Sequence, residues 1–89
     1  MITVKRFTAS WCQPCKVLAP TFKEFEAEYT DLKFYTIDVD KEVDLVDLYA
    51  IRNVPTVIVE KDNQIVERIS GLNTKQTYIK LFDKFRETI

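Results

Sequence analysis

Apolar and polar positions along this chain repeat with two periods, and the switches between them predict seven elements. Ile2 to Thr8 reads as a strand that runs directly into Ala9-Ser10-Trp11-Cys12. A helical pattern follows. Leu18, Phe22, Phe25 and Tyr29 fall at i, i+4, i+7 and i+11, while Lys23, Glu24, Glu26 and Glu28 occupy much of the other face. Pro20 lies inside that pattern and is expected to kink the helix, because it removes a backbone donor. Phe34 to Val39 reads as a strand with Tyr35, Ile37 and Val39 on one face, and Glu42 to Tyr49 as a short helix built on Leu45, Leu48 and Tyr49. Val57-Ile58-Val59 is a continuous β-branched run, as in a strand covered on both faces. Asp62-Asn63 is a turn signal that joins it to Ile65–Ile69 as a hairpin, and Gly71 ends that strand. Asn73 with Gln76 reads as a capping box for a last helix, whose stripe is Tyr78, Leu81, Phe82, Phe85 and Ile89.

The order β-α-β-α-β-β-α predicts an α/β fold: a central mixed four-stranded sheet flanked by helices, its first two strands parallel through a crossover. No repeat, linker or low-complexity segment interrupts it, so residues 1–89 read as a single domain. Charge narrows the classes of function. Thirteen basic and 14 acidic residues are interspersed to a net charge of −1, which argues against nucleic acid or an anionic membrane as partner. The longest apolar runs are three to four residues and the N-terminus lacks the plan of a signal peptide, so the expected location is cytoplasmic. The chain has no histidine, which removes Ser-His and Cys-His catalysis and histidine-based metal sites.

Two cysteines remain, Cys12 and Cys15, and their placement points to chemistry. Cys12 lies where a strand ends and a helix begins, so unpaired backbone N–H groups and the positive end of the helix dipole favour its thiolate. Lys16 adds a nearby positive charge, and the thiolate is the attacking species. Cys15 returns to the same face three positions on, placed to attack a mixed disulfide formed at Cys12. Pro14 falls in the first turn, where its missing N–H costs nothing. Three other readings of the pair stand beside this one. They are a structural disulfide closing a very short loop, part of a metal or cluster site shared between two chains, and two inert buried thiols.

Trp11-Cys12-Gln13-Pro14-Cys15-Lys16 closely resembles the thioredoxin family's active-site motif. The likeness extends over essentially the whole chain: Lys16–Pro20 and Phe25–Tyr29 resemble the first active-site helix, Phe34–Asp40 the next strand, and Tyr49–Thr56 the second signature. The resemblance implies a thioredoxin-like fold and a redox-active Cys12–Cys15 disulfide with no bound cofactor and no metal. Cys12 would be the exposed nucleophile and Cys15 the buried resolving thiol. Trp11 would lie over the disulfide, Pro55 would be a cis-proline facing it, Val54 would pair its backbone with an extended substrate segment, and Gly71 would let that segment approach.

Three departures stand out. Gln13 replaces the family's usual glycine, and the residues between the cysteines tune redox poise. The family's initial βα unit is missing from this sequence. Arg6 stands where thioredoxins carry a buried aspartate, and no carboxylate occurs in the first 23 residues. Two expectations follow for Arg6: it lies beneath Cys15, favours the Cys15 thiolate and makes the disulfide more oxidising, or it is solvated. Asp38 and Asp40 are the fallback carboxylates for proton transfer.

The leading expectation is a monomeric thioredoxin that reduces protein disulfides such as that of ribonucleotide reductase and is recycled by thioredoxin reductase. The first alternative is a glutaredoxin-type, glutathione-coupled enzyme. It is favoured by length and opposed by the motif and by Leu72-Asn73 after Gly71. The second is a thioredoxin-fold binding subunit that does not use its thiols.

Overall fold

Strand β1 (Ile2–Thr8) and strand β3 (Thr56–Lys61) form the centre of a four-stranded sheet of order β2-β1-β3-β4, with β2 spanning Lys33–Asp38 and β4 Gln64–Ser70. β1 pairs parallel with β2 and antiparallel with β3, and β3 pairs antiparallel with β4. Helix α1 (Gln13–Glu28) links β1 to β2, α2 (Val43–Leu48) links β2 to β3, and α3 (Lys75–Arg86) follows β4. The computed structural model describes residues 1–86, so the expected place of Ile89 in the last stripe lies outside the described residues. The element order agrees with the pattern of the sequence.

Each face of the sheet has its own core. Ile2, Val4, Val57 and Val59 meet Leu18, Phe22 and Phe25 of α1 and Tyr78 and Phe82 of α3. This layer is aromatic: Phe22, Phe25, Phe34, Tyr78 and Phe82 meet edge to face with centroids 5.1 to 6.4 Å apart. Such pairs contribute about 0.5–1.5 kcal/mol each beyond the area they bury. On the other face Phe7, Ile37, Tyr49 and Ile58 pack with Leu45 and Ile51. Because both faces are covered, Val57, Ile58 and Val59 are almost wholly buried, as their unbroken apolar run implies.

Several local expectations are corrected. Leu48 is 74% exposed, because α2 is a six-residue helix that reaches the sheet only through Leu45 and the residue after its end, Tyr49. Tyr35 is also exposed, on the outer strand β2. Pro20 lies inside α1, as its place in the sequence pattern implies. The last helix is capped by Thr74, whose hydroxyl accepts from the Thr77 amide at 3.3 Å; the Asn73 amide donates instead to the Ser70 and Gly71 carbonyls. The hairpin turn is as expected, with both Asp62 and Asn63 at positive φ, the geometry of a two-residue type I′ turn.

Two cations enter the interior from β1. Lys5 is satisfied: its ammonium donates to the Tyr49 hydroxyl at 2.6 Å and lies 3.1 Å from a Glu60 carboxylate oxygen, while the Tyr49 hydroxyl donates to the other. Burial pulls the Lys5 pKa down, but the bonds to Tyr49 and Glu60 outweigh it and the net shift is upward. Arg6, on the opposite face, is less well provided for.

The packing predicts a sharp contrast between two helix positions. Phe25→Ala, at a site with no exposure, should cost about 3–5 kcal/mol in a urea titration. Leu48→Ala should stay within about 0.5 kcal/mol of the parent.

Candidate active site

The end of β1 delivers Cys12 to the start of α1, and the junction is held by backbone bonds. The Cys12 amide donates to the Ala9 carbonyl at 3.2 Å, and the Lys16 amide to the Cys12 carbonyl at 3.3 Å. Cys12 is the N-cap residue, and its Sγ accepts from the Cys15 amide at 3.2 Å. A sulfur in this position receives one of the orphan N–H groups of the first turn and sits at the positive end of the helix dipole. The first turn of α1 holds no acidic residue that would offset this field. Cys12 and Cys15 are joined as a disulfide with Cα atoms 5.3 Å apart.

Cys15 is 1% exposed, as expected of a resolving thiol. Cys12 corrects the expectation of an exposed nucleophile. In the disulfide it is only 5% exposed, packed with Ala9 and against Val39 and Val54. Gln13, Pro14 and Lys16 are exposed around it.

The second motif comes to the first through the β1–β3 pairing. Phe7 stands opposite Thr56, so the residues just before β3 lie beside those just after β1. The Val54 carbonyl oxygen is 3.7 Å from Cys12 Sγ, and the Val54–Pro55 peptide bond is cis. The Gly71 amide donates to the Pro55 carbonyl at 2.8 Å. Gly71 has φ +82 and open space where a Cβ would stand, so its backbone conformation is what calls for glycine here. Cys12, Cys15, Val54, Pro55 and Gly71 thus form one continuous site.

Trp11 is 67% exposed, and its indole Nε1 donates to Asp40 Oδ2 at 2.9 Å. Asp40 is held in turn by its own amide, which donates to Asp38 Oδ1 at 2.9 Å. The two fallback carboxylates therefore orient the tryptophan. The sequence offered one trace of this, two aspartates at alternate positions around the end of a strand. Beneath Trp11 and Val54 a groove of about 220 Å³ is walled by Val39, Val46, Ile51, Arg52 and Asn53.

Arg6 is 7% exposed, which sets aside its solvated version. Its guanidinium donates to the Thr36 hydroxyl at 3.2 Å and lies 5.4 Å from the Phe22 ring centre, about two turns along α1 from Cys15. Its Nε is buried without a partner, and so is the nearby Tyr78 hydroxyl. Burial pushes the Arg6 pKa down, partly offset by Glu26 and Tyr78, and pushes the Tyr78 pKa up. Asn73 beside the Tyr78 hydroxyl partly opposes that upward shift. Among the described residues no group of three or more His, Cys, Asp or Glu side chains could hold a metal ion. No described helix is long and apolar enough to cross a membrane.

Arg6 generates a stability prediction. A buried guanidinium with one unpaired donor is a liability that an apolar chain of similar length removes. Arg6→Met should therefore raise the urea midpoint of unfolding; a lower midpoint would mean that the Thr36 and Phe22 contacts outweigh the burial.

Comparison with known proteins agrees with this geometry. The thioredoxin family model matches residues 1–84. Thioredoxin of Bacillus subtilis is 36% identical over 84 residues, covering 93% of this chain and 81% of its own length. Thioredoxin H5 of Oryza sativa is 40% identical over 70 residues, and the matched part spans only 52% of that protein. Among solved structures, a variant thioredoxin from Halobacterium salinarum superposes with a TM-score of 0.91 at 33% identity, over 99% of this chain and 77% of that one.

Proposed function

The chain belongs to the thioredoxin family, and we propose that it reduces disulfides of target proteins through a Cys12–Cys15 dithiol–disulfide cycle. The observation that carries this reading is Cys12 Sγ at the N-cap of α1, accepting the Cys15 amide beside the Val54 carbonyl. In the dithiol form, the same amide and helix dipole stabilise the Cys12 thiolate. That thiolate attacks one sulfur of the target disulfide, forming a Cys12–target bond and releasing the other target sulfur as a thiolate. Cys15, deprotonated as it reacts, attacks Cys12 Sγ and releases the second target sulfur. Two electrons pass to the target, which takes up two protons as its thiols form, and the Cys12–Cys15 bridge closes.

Position supports a docking role for the residues around the sulfurs. An extended target segment pairs with the Val54 backbone, Gly71 and cis-Pro55 keep that edge open, and Trp11, fixed by Asp40, shields one side of the reacting sulfurs. Gln13, Pro14 and Lys16 tune the poise of the pair. Arg6 acts through the low-dielectric interior, where a buried positive charge favours the dithiolate side of the couple. The cycle uses no bound cofactor. Targets of the ribonucleotide reductase type, an NADPH-dependent thioredoxin reductase as electron donor, a monomeric state and a cytoplasmic location complete the proposal.

Two experiments test it. Cys12→Ser should abolish reduction of insulin disulfides, whereas Cys15→Ser should accumulate a mixed disulfide seen on a non-reducing gel. A Cys12→Ser, Cys15→Ser protein that keeps full function in cells would instead identify a clamp that does not use its thiols. Titration in dithiothreitol redox buffers, followed by Trp11 fluorescence, should show a two-electron transition near the thioredoxin value of about −270 mV. A transition at about −200 to −230 mV with turnover on glutathione alone would favour the glutaredoxin reading. Removing the buried charge in Arg6→Met should make the couple more reducing by roughly 10–30 mV, and an unchanged potential would remove Arg6 from the tuning set.

A further inference from the structure

A second cleft adjoins the docking edge, and its charge plays no part in the exchange of sulfur bonds. It has a volume of about 430 Å³ and is lined by Ala50, Arg52, Asn53, Thr56, Arg68 and Ser70. The sheet register explains how these residues meet. Arg68 stands opposite Ile58 and Ser70 opposite Thr56, so both β4 side chains rise on the face that carries Ile58. Ala50, at φ 53, turns the chain just after α2, and Arg52 and Asn53 then complete the wall.

The polar groups of this cleft are unevenly satisfied. The Thr56 hydroxyl donates to the Asn53 carbonyl at 2.7 Å and lies 3.4 Å from the Ser70 hydroxyl. Neither Arg52 nor Arg68 takes part in an ion pair or side-chain hydrogen bond among the described residues. The lining contains no carboxylate, and Glu60, on the same face, is held by Lys5 and Tyr49. The cleft therefore carries two guanidinium groups with no carboxylate partner, and each guanidinium can donate two parallel hydrogen bonds to a planar carboxylate.

The cleft is also continuous with the place where chemistry occurs. Arg52 and Asn53 wall both this cleft and the groove beneath Trp11 and Val54. Val54, two residues beyond Arg52, brings its carbonyl oxygen to 3.7 Å from Cys12 Sγ. A chain laid along this edge advances about 3.3 Å per residue. A residue two or three positions from the attacked cysteine therefore comes over Arg52.

We propose that the Arg52–Arg68 cleft is a carboxylate subsite that selects acidic target segments. It takes the side chain of an Asp or Glu lying two or three residues from the target cysteine in the extended segment that Cys12 attacks. The inference rests on the reading of Val54 as the docking edge and adds a charge specificity to it.

The test uses three peptides with the same disulfide, differing only in Glu, Gln or Lys at that position. The reduced protein is mixed with each, and oxidation is followed by Trp11 fluorescence as a second-order rate. At low ionic strength the Glu peptide should react about fivefold faster than the Gln peptide, and the Lys peptide slower than both. The spread should shrink in about 0.5 M salt, as for an exposed charge pair. Arg68→Gln should remove most of the preference and Arg68→Glu should reverse it, each read as the ratio of the Glu-peptide to the Gln-peptide rate within the same variant. Equal rates for the three peptides, or a preference that survives Arg68→Gln, would overturn the subsite and leave the oxidoreductase reading intact. Reduction of none of the peptides would overturn that reading and the subsite with it.

Discussion

The antiparallel register between β1 and β3 is the constraint on which the rest of the molecule depends. β3 is buried on both faces and β1 on most of its length, so a slip of one residue would exchange the two apolar sets between the helical layers. With Phe7 opposite Thr56, the chain leaving β1 and the chain entering β3 emerge at the same end of the sheet. The cysteines follow the first and cis-Pro55 precedes the second, so a packing requirement of the core places Cys12 beside Val54. The same end receives Gly71 from β4, whose amide closes on the Pro55 carbonyl. A reactive sulfur and an open backbone edge meet there without any dedicated structure.

The interior treats its two β1 cations in opposite ways. Lys5 completes a closed set with Tyr49 and Glu60, in which every charged group has a partner. Arg6 has one hydroxyl, one aromatic face and a leftover Nε, next to an unpaired Tyr78 hydroxyl. Buried polar groups left unpaired are uncommon, and they gather where something other than stability is served. Arg6 lies under α1, against Phe22 and about two turns along the helix from Cys15.

Around the site, charge is distributed with the same asymmetry. Acidic residues are absent from the first 23 positions, and Asp40, just after β2, is taken up by the tryptophan indole. Lys16, Arg52 and Arg68 are exposed.

How much of this was legible in the sequence varies with the range of the interaction responsible. The element order, the strand buried on both faces, the type I′ turn at Asp62-Asn63 and Cys12 at a helix start are all set by neighbours within a few residues, and they could be read directly. The errors came where local pattern and tertiary contact disagreed. Leu48 fits a helical stripe but faces solvent, because a six-residue helix covers too little of the sheet. Asn73 fits a cap, but the chain leaving Gly71 draws its amide to backbone carbonyls and leaves capping to Thr74. The fates of Arg6, held by Thr36, and Asp40, held by Trp11, were fixed by residues distant in sequence, which no periodicity records. The sequence by itself determined the elements and the chemical identity of the reactive pair, because both follow from local backbone physics. Only the tertiary structure decided which charges are buried, which are paired and which stay exposed, because those depend on strand register and on residues 30 or more positions away.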